Sequence, residues 1–259
     1  MDLGLKGKRA LVMGASRGLG RAIAAAIAAE GADLLLAARN RDRLAQDAKA
    51  LSEAHGIRAE AVSLDLASDE SVDSLIAAAH GTIDVLLANG GGPPPTGALG
   101  VEPALWKANF QTMVYSQIRI IDALVPPMRK RKWGRVIAIA SSGVVKPIPT
   151  LAISNTLRAS LVTFCKTLAT EVAADGVTVN VVLPGRIATE RVASLDENAS
   201  RTGDIPIAEV QSRFMSAIPM KRYGKPEEFA AVVAFLAGRG ASYVTGSMIR
   251  IDGGMITTV

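Results

Sequence analysis

A glycine-rich turn and two arginines near the N-terminus carry the first recognisable chemistry. Gly14-Ala15-Ser16-Arg17-Gly18-Leu19-Gly20 follows a short apolar run and leads into an Ala-rich stretch of helical period. Glycines at 14, 18 and 20 let the backbone approach an anion closely. The helix N-terminus behind them offers unpaired N–H groups and the positive end of a dipole. Isolated glycines mark only a tight turn, but strand, turn and helix in this order are what a dinucleotide pyrophosphate requires. A pocket for an unphosphorylated ribose places an Asp or Glu about 20 residues past such glycines, at the end of the next strand. The chain has Ala37-Ala38-Arg39-Asn40 there instead. Arg39 and Arg17 suit a 2′-phosphate, whose charge and geometry match a guanidinium fork. This favours NADP(H) over NAD(H). The alternative is that Arg39 simply ends a strand at the surface.

The elements that must position this turn are legible from apolar runs. Strands are expected at Arg9–Met13, Asp33–Ala37, Arg58–Leu64, Ile83–Ala88, Arg135–Ala140, Val177–Leu183 and Met248–Ile251. Helices are expected at Gly18–Glu30, Arg41–Glu53, Asp69–Ala79, Leu151–Ala173 and Glu227–Ala237. A long helix over Pro103–Met128 should bend or end at Pro126-Pro127, and irregular helical segments should fill Thr189 to Ala217. Strand–helix alternation implies right-handed crossovers and a mainly parallel sheet covered on both faces. Leu34-Leu35-Leu36 is continuously apolar, as a strand buried on both sides should be. The fold class is therefore α/β, a doubly wound Rossmann sheet of seven strands. No linker or repeat divides residues 1–259, so one domain is expected. Gly90-Gly91-Gly92-Pro93-Pro94-Pro95 reads as a stiff loop after the fourth strand.

Composition narrows the function classes. Of the 259 residues, 49% are hydrophobic and 20% charged, which excludes disorder and collagen. One Cys cannot form an internal bridge or a multi-thiolate zinc site, and suits a reducing compartment. His55 and His80 lie far apart, so no metal is expected. The net charge of +5 raises nucleic acid as a partner. The basic residues are scattered, however, apart from Arg129-Lys130-Arg131-Lys132, which reads as a solvated turn. No apolar run reaches the ~18 residues of a membrane span, and the first residues lack a signal-peptide core. A cytoplasmic protein with no membrane or nucleic-acid partner is expected.

The spacing Gly-x-x-x-Gly-x-Gly, together with other motifs, resembles the short-chain dehydrogenase/reductase family, and within it the 3-oxoacyl-(acyl-carrier-protein)-reductase-like branch. The resemblance covers nearly the whole chain. Leu64-Asp65-Leu66 resembles the family's adenine-contacting motif. Ala88-Asn89-Gly90-Gly91 resembles its Asn-Asn-Ala-Gly motif with two substitutions. Pro184-Gly185-Arg186-Ile187-Ala188-Thr189 is similar to the Pro-Gly-x-x-x-Thr segment that closes over the nicotinamide. Residues 219–228 and 245–254 are similar to C-terminal signatures. The resemblance implies cofactor contacts from Gly14, Ser16, Arg17, Gly18, Leu19, Gly20, Arg39, Asp65, Leu66, Asn89, Gly90, Arg158, Pro184, Gly185, Ile187 and Thr189. It also implies hydride transfer between nicotinamide and a carbonyl or alcohol, and a homotetramer or homodimer.

In that family a Tyr, a Lys four residues later, a Ser and a helix Asn do the chemistry. Asn109 and Ser141 stand at the Asn and Ser positions, with Ser142 a neighbouring candidate. The Tyr and Lys positions hold Ser154 and Arg158. The i, i+4 spacing on one helix face is kept, but both residue types change. An aliphatic hydroxyl is a far weaker acid than a phenol, and a guanidinium of pKa above about 12 does not shuttle protons. Arg158 can still bind ribose hydroxyls and favour an oxyanion. The expected protein is an NADP(H) oxidoreductase with an atypical site; the alternative is an NADP(H)-binding sensor or partner subunit. Water or Lys146 is an alternative acid, although Lys146 reads more readily as solvated. Cys165 reads as a structural thiol. Arg191, Arg201, Arg213 and Arg222 either attract an anionic or acyl-carrier substrate or are solvated surface. Leu157, Leu161, Phe164 and Leu168 form an apolar helix face for a neighbouring subunit, or for the chain's own sheet.

Overall fold

The computed structural model describes residues 2–79 and 82–258; His80 lies outside the described residues. Seven parallel strands run β1 Arg9–Met13, β2 Asp33–Ala38, β3 Ala59–Ser63, β4 Val85–Ala88, β5 Gly134–Ile139, β6 Val177–Pro184 and β7 Met248–Ile251. Their order across the sheet is β3-β2-β1-β4-β5-β6-β7. The chain first winds outward from β1 to β3, then returns past β1 to β4. The strand order therefore reverses between β1 and β4, and a crevice opens beyond their carboxyl ends. β4 is shorter than expected and begins at Val85, not Ile83.

Each buried strand serves both faces. Leu34 and Leu36 join one apolar layer, under α1 (Gly18–Ala29), α2 (Arg41–His55) and α9 (Pro226–Ala237). Leu35 and Ala37 join the other, under α3 (Asp69–Ala79), α5 (Ser116–Lys130) and α6 (Ala152–Val172). Alternate side chains point to opposite faces of a strand, so a run of Leu is what such a strand needs.

Two expectations are corrected. The helix from Pro103 does not end at Pro126-Pro127 but runs on to Lys130. It is interrupted earlier, where α4 (Pro103–Phe110) passes through a π-helical turn at Gln111–Tyr115 into α5. The Ser116 N–H there reaches back five residues to the Gln111 carbonyl. Residues 189–217 are not irregular but form α7 (Glu190–Gly203) and α8 (Ile207–Ala217). The apolar face of α6 packs on the chain's own sheet: Leu161 lies in the core, and Phe164 and Leu168, partly buried, pack against the same layer. Leu157 joins a third cluster with Met113, Val114 and Ile153, which fixes α6 against the π turn.

The basic run 129–132 also has a structural explanation. Arg129 and Lys132 both bind Asp175, at 2.6 and 2.5 Å, and hold its carboxyl below the usual range. Arg131 donates to the Ile83 carbonyl at 2.7 Å. These contacts tie the C-terminal end of α5 to the strand edges opposite the crevice. Among the described residues no helix is long and apolar enough to cross a membrane.

Candidate active site

The crevice between β1 and β4 is lined first by backbone. The Gly14 N–H donates to the Ala37 carbonyl at 2.7 Å, which draws the turn tight over the sheet. A Cβ on Gly20 would lie 2.2 Å from the Gly14 carbonyl oxygen, so no side chain fits there. Gly14 has φ +67°, and a Cβ would meet the Asn89 side chain at 2.6 Å. Asn89 donates from Nδ2 to the Met13 carbonyl at 3.3 Å, joining the ends of β4 and β1. Arg17 occupies the N-cap of α1 without a side-chain cap, which leaves the first N–H groups facing the crevice mouth. This cradle fits a dinucleotide pyrophosphate.

The adenine end is similarly arranged. The Leu64 N–H donates to the Ala38 carbonyl at 3.0 Å, so Arg39 and Asp65 emerge side by side at the ends of β2 and β3. Arg39 is exposed and makes no ion pair among the described residues. Asn40 is occupied as the N-cap of α2, accepting from the Arg43 N–H at 3.0 Å. Asp65 is exposed and caps its own turn, accepting from the Ala67 N–H at 3.0 Å. The Leu66 carbonyl accepts from buried Ser116 at 2.7 Å. Arg17 pairs with Glu190 at 3.2 Å, a contact of two largely exposed side chains. A 2′-phosphate would have to compete with that carboxylate.

The other end of the crevice is closed by the chain after β6. Pro184 is the last residue of β6, and the Gly185 N–H donates to the Ile251 carbonyl at 3.0 Å. Ile187 bridges to Gly224. Thr189 caps α7 by accepting from the Val192 N–H, and its methyl and Cβ come within 3.6 Å of the Cβ position at Gly18. The start of α7 therefore faces the glycine turn.

The residues at the family's catalytic positions lie beside this crevice. Ser141 is half-buried, and its Oγ accepts from the Gly143 N–H at 3.1 Å. Asn155 on α6 holds the same loop at the Ile148 carbonyl, 2.8 Å away, so the loop after β5 lies on the first turn of α6. Ser154 is buried in that turn at 7% exposure, and Ser142 is buried nearby. Lys146 is exposed. Arg158, one turn on, donates to the Ile139 carbonyl at 2.8 Å and the Gly91 carbonyl at 3.3 Å. Burial, with the Arg191 charge second, brings its pKa down to about 10 rather than above 12. It remains protonated at neutral pH. Asn109 sits one residue before the helix ends at the π turn, and its Nδ2 donates to its own helix at Leu105, 2.8 Å away. The structure thus sets Ser154 and Arg158 one turn apart on α6 and holds the loop after Ser141 to that helix through Asn155, while the Asn109 amide faces its own backbone.

Three features were missed from sequence. Arg191 reaches across to the Pro93 carbonyl at 2.6 Å. Asp196, fully buried, binds Arg186 and accepts from the Tyr223 hydroxyl at 3.0 Å, while Arg186 stacks on Phe214 at 3.1 Å. This cluster locks α7 and α8 onto the 219–224 segment. Gln117 is buried behind Gly90, with Oε1 unpartnered. No spacing announced these contacts, since each joins residues far apart in sequence or in different elements.

The chain matches the family model described as enoyl-(acyl carrier protein) reductase over residues 14–256. It is 36% identical to the 3-oxoacyl-(acyl-carrier-protein) reductase FabG of Escherichia coli, over 98% of this chain and 99% of that protein. Its identity to FabG of Aquifex aeolicus is 32%, over 98% of this chain and 100% of the relative. Among solved structures, L-sorbose reductase from Gluconobacter frateurii, complexed with NADPH and L-sorbose, superposes with a TM-score of 0.94 at 34% identity, with both chains fully covered. The chain belongs to the short-chain dehydrogenase/reductase family. It is an oxidoreductase with that family's Rossmann sheet.

Proposed function

We propose that this protein is an NADP(H)-dependent reductase of a carbonyl compound, similar to the 3-oxoacyl-(acyl-carrier-protein) reductases, with a weakened proton step. The whole chain serves as one dinucleotide-binding domain in the cytoplasm, assembled as a homotetramer or homodimer. Exposed Phe110 and Tyr115 on the interrupted helix support assembly through that helix. The observation that carries the reading is the placement of Arg158. Its guanidinium bridges the end of β5 and the loop after β4, beside the glycine cradle. Two of its five N–H donors are used there, which leaves three for ribose hydroxyls or a developing oxyanion.

NADPH, when bound, supplies the hydride. Gly14, Gly18 and Gly20 admit the pyrophosphate, and the α1 N-terminus faces it. Arg39 and Arg17 take the 2′-phosphate, since no carboxylate ends β2. Pro184, Gly185, Ile187 and Thr189 cover the nicotinamide, while Asn89 and Gly90 floor it. Asp65 and Leu66 flank the adenine. Ser141 hydrogen-bonds the carbonyl oxygen, and Arg158 stabilises negative charge on it without delivering a proton. Ser154 is a poor acid, so the proton comes by way of water.

The second reading is an NADP(H)-binding protein without turnover. The orientation of Asn109 favours it, because that amide is committed to Leu105. NADPH oxidation across a panel of carbonyl substrates, beside direct NADPH binding, separates the two. Binding with turnover of any panel member supports the reductase. Binding with none supports the sensor, and absence of binding overturns both.

A further inference from the structure

Arg158 and Arg191 approach one loop from two helices. Arg158 on α6 holds the Gly91 carbonyl, and Arg191 on α7 holds the Pro93 carbonyl. That loop is also laced to the start of α6: the Thr96 N–H donates to the Thr150 carbonyl at 2.9 Å, and the Ala152 N–H to the Thr96 carbonyl at 3.2 Å. Neither arginine has a carboxylate partner among the described residues. Their charges are close enough that Arg191 contributes to lowering the Arg158 pKa. Two like charges near one loop without a counter-ion raise each other's energy, and an anion between or beside them relieves it.

A cleft of about 370 Å³ lies between the same loop, at Pro94 and Pro95, and α7. Arg191, Ser194, Asn198 and Arg201 line it, with Glu197 the one acid. The neighbouring acid, Glu190, is engaged by Arg17. Arg201 donates to Asn198 at 2.9 Å and has no carboxylate partner among the described residues. The cleft thus holds two guanidiniums to one carboxylate, with Arg158 behind the loop adding a third positive charge. Its volume suits a small metabolite.

We propose that the substrate is a small carbonyl or alcohol compound bearing an oxyanion, a carboxylate or a phosphate, which Arg191 and Arg201 bind in this cleft. Guanidinium forks pair with both groups in bidentate fashion, and the Asn198 amide, whose Oδ1 accepts from Arg201, has its Nδ2 for a neutral hydrogen bond beside them. Arg158 contributes through its field rather than by contact. The proposal rests on the reductase reading, because it names that site's substrate class.

The test is titration calorimetry on the NADPH-saturated protein with two matched pairs of probes: acetoacetate against its methyl ester, and dihydroxyacetone phosphate against dihydroxyacetone. At least one anion should bind about tenfold or more tightly than its neutral partner, the value of one charge-assisted hydrogen bond. That preference should weaken with added salt. The anion that binds better distinguishes carboxylate from phosphate. Arg191→Gln, which keeps a donor for Pro93, should remove the preference, and Arg191→Lys should keep part of it. Arg201→Gln, which leaves the loop contact intact, should lower it independently. Equal binding within both pairs, or no binding of either anion, overturns the proposal while leaving the cofactor reading standing. Failure to bind NADPH at all strikes the reductase reading itself.

Discussion

The crevice has two sides built on different principles. The β1–β4 side, with its glycine turn, uses backbone: N–H groups, a helix end and positions where only hydrogen fits. The β5–α7 side uses side chains, and there, on the proposed assignment, Ser154 and Arg158 stand where the family has its phenol and ammonium. Around them α6 packs against the π turn, and Asn155 holds the loop after β5 to α6. A function carried by backbone persists as long as the fold persists. A function carried by side chains can change at two positions without disturbing a single strand. The comparison therefore predicts strong cofactor binding beside altered chemistry.

The sharpest way to probe the contrast is to rebuild the altered side. Ser154→Tyr with Arg158→Lys should raise the initial rate of NADPH-dependent carbonyl reduction by about 10²–10⁴-fold, the usual contribution of general acid–base catalysis. Ser154→Tyr alone should do less, because a guanidinium does not reproduce a compact ammonium. A double variant that binds NADPH but stays at background would show that the substrate pocket is lost too.

Next in size is the clamp that holds α7 and α8 over the crevice. Asp196→Ala leaves Arg186 beside Phe214 without its counter-charge. Breaking a buried pair from one side costs about 3 kcal/mol or more, and Arg186 is itself partly exposed, so the lower figure applies. Amide exchange across Glu190–Ala217 should accelerate while the strands stay protected. Unchanged exchange there would show that the clamp is not what holds these helices.

On the backbone-built side, NADPH should bind more tightly than NADH by about 1.5–3 kcal/mol, the range for hydrogen bonds to a charged group. Arg17→Ala with Arg39→Ala should erase the difference in a fluorescence titration. Equal wild-type affinities would remove the 2′-phosphate assignment and leave the rest of the cradle untouched.

The smallest effect concerns α9, behind the glycine turn. Glu228 binds Arg222 through both carboxylate oxygens and accepts from the Lys225 N–H at 2.7 Å. The Arg222 hydrogen bonds, then that backbone bond, hold its carboxyl at about 2 instead of 4.5. A depressed carboxylate pKa stabilises the fold above the ordinary value and loses that contribution as pH falls toward the folded one. Wild type should therefore melt slightly above Glu228→Gln near neutral pH. The gap should close between pH 4.5 and about 2. A gap that persists at the acid end would assign the effect to packing.

Much of this was legible in the residues. Asp69–Ala79 and Met248–Ile251 coincide with α3 and β7, because apolar period and flanking polar residues state both ends of such elements. The glycine turn was legible because its requirement is local. Arg41–Glu53 ran on to His55, where Gly56 adopts a left-handed conformation and ends the helix. The prolines at 126 and 127 misled, since α5 carries both inside it and runs on to Lys130, although each removes one N–H from the helical ladder.

The sequence by itself determined the Rossmann class, the glycine turn and the missing carboxylate at the end of β2, and it carries the expectation that Ser154 and Arg158 stand in for Tyr and Lys. Each is a matter of residue type at a position set by neighbours in the chain. Only the tertiary structure decided that Arg191 meets the Pro93 carbonyl, that Asp196 is buried between Arg186 and Tyr223, and that Asn109 turns to its own helix. It also decided that the α6 apolar face is used internally. Apart from the Asn109 bond, which stays within its own helix, these contacts join elements up to 98 residues apart. Chain-local periodicity holds no information about such pairings, which arise when two layers of helices close on one sheet and leave some polar groups facing each other.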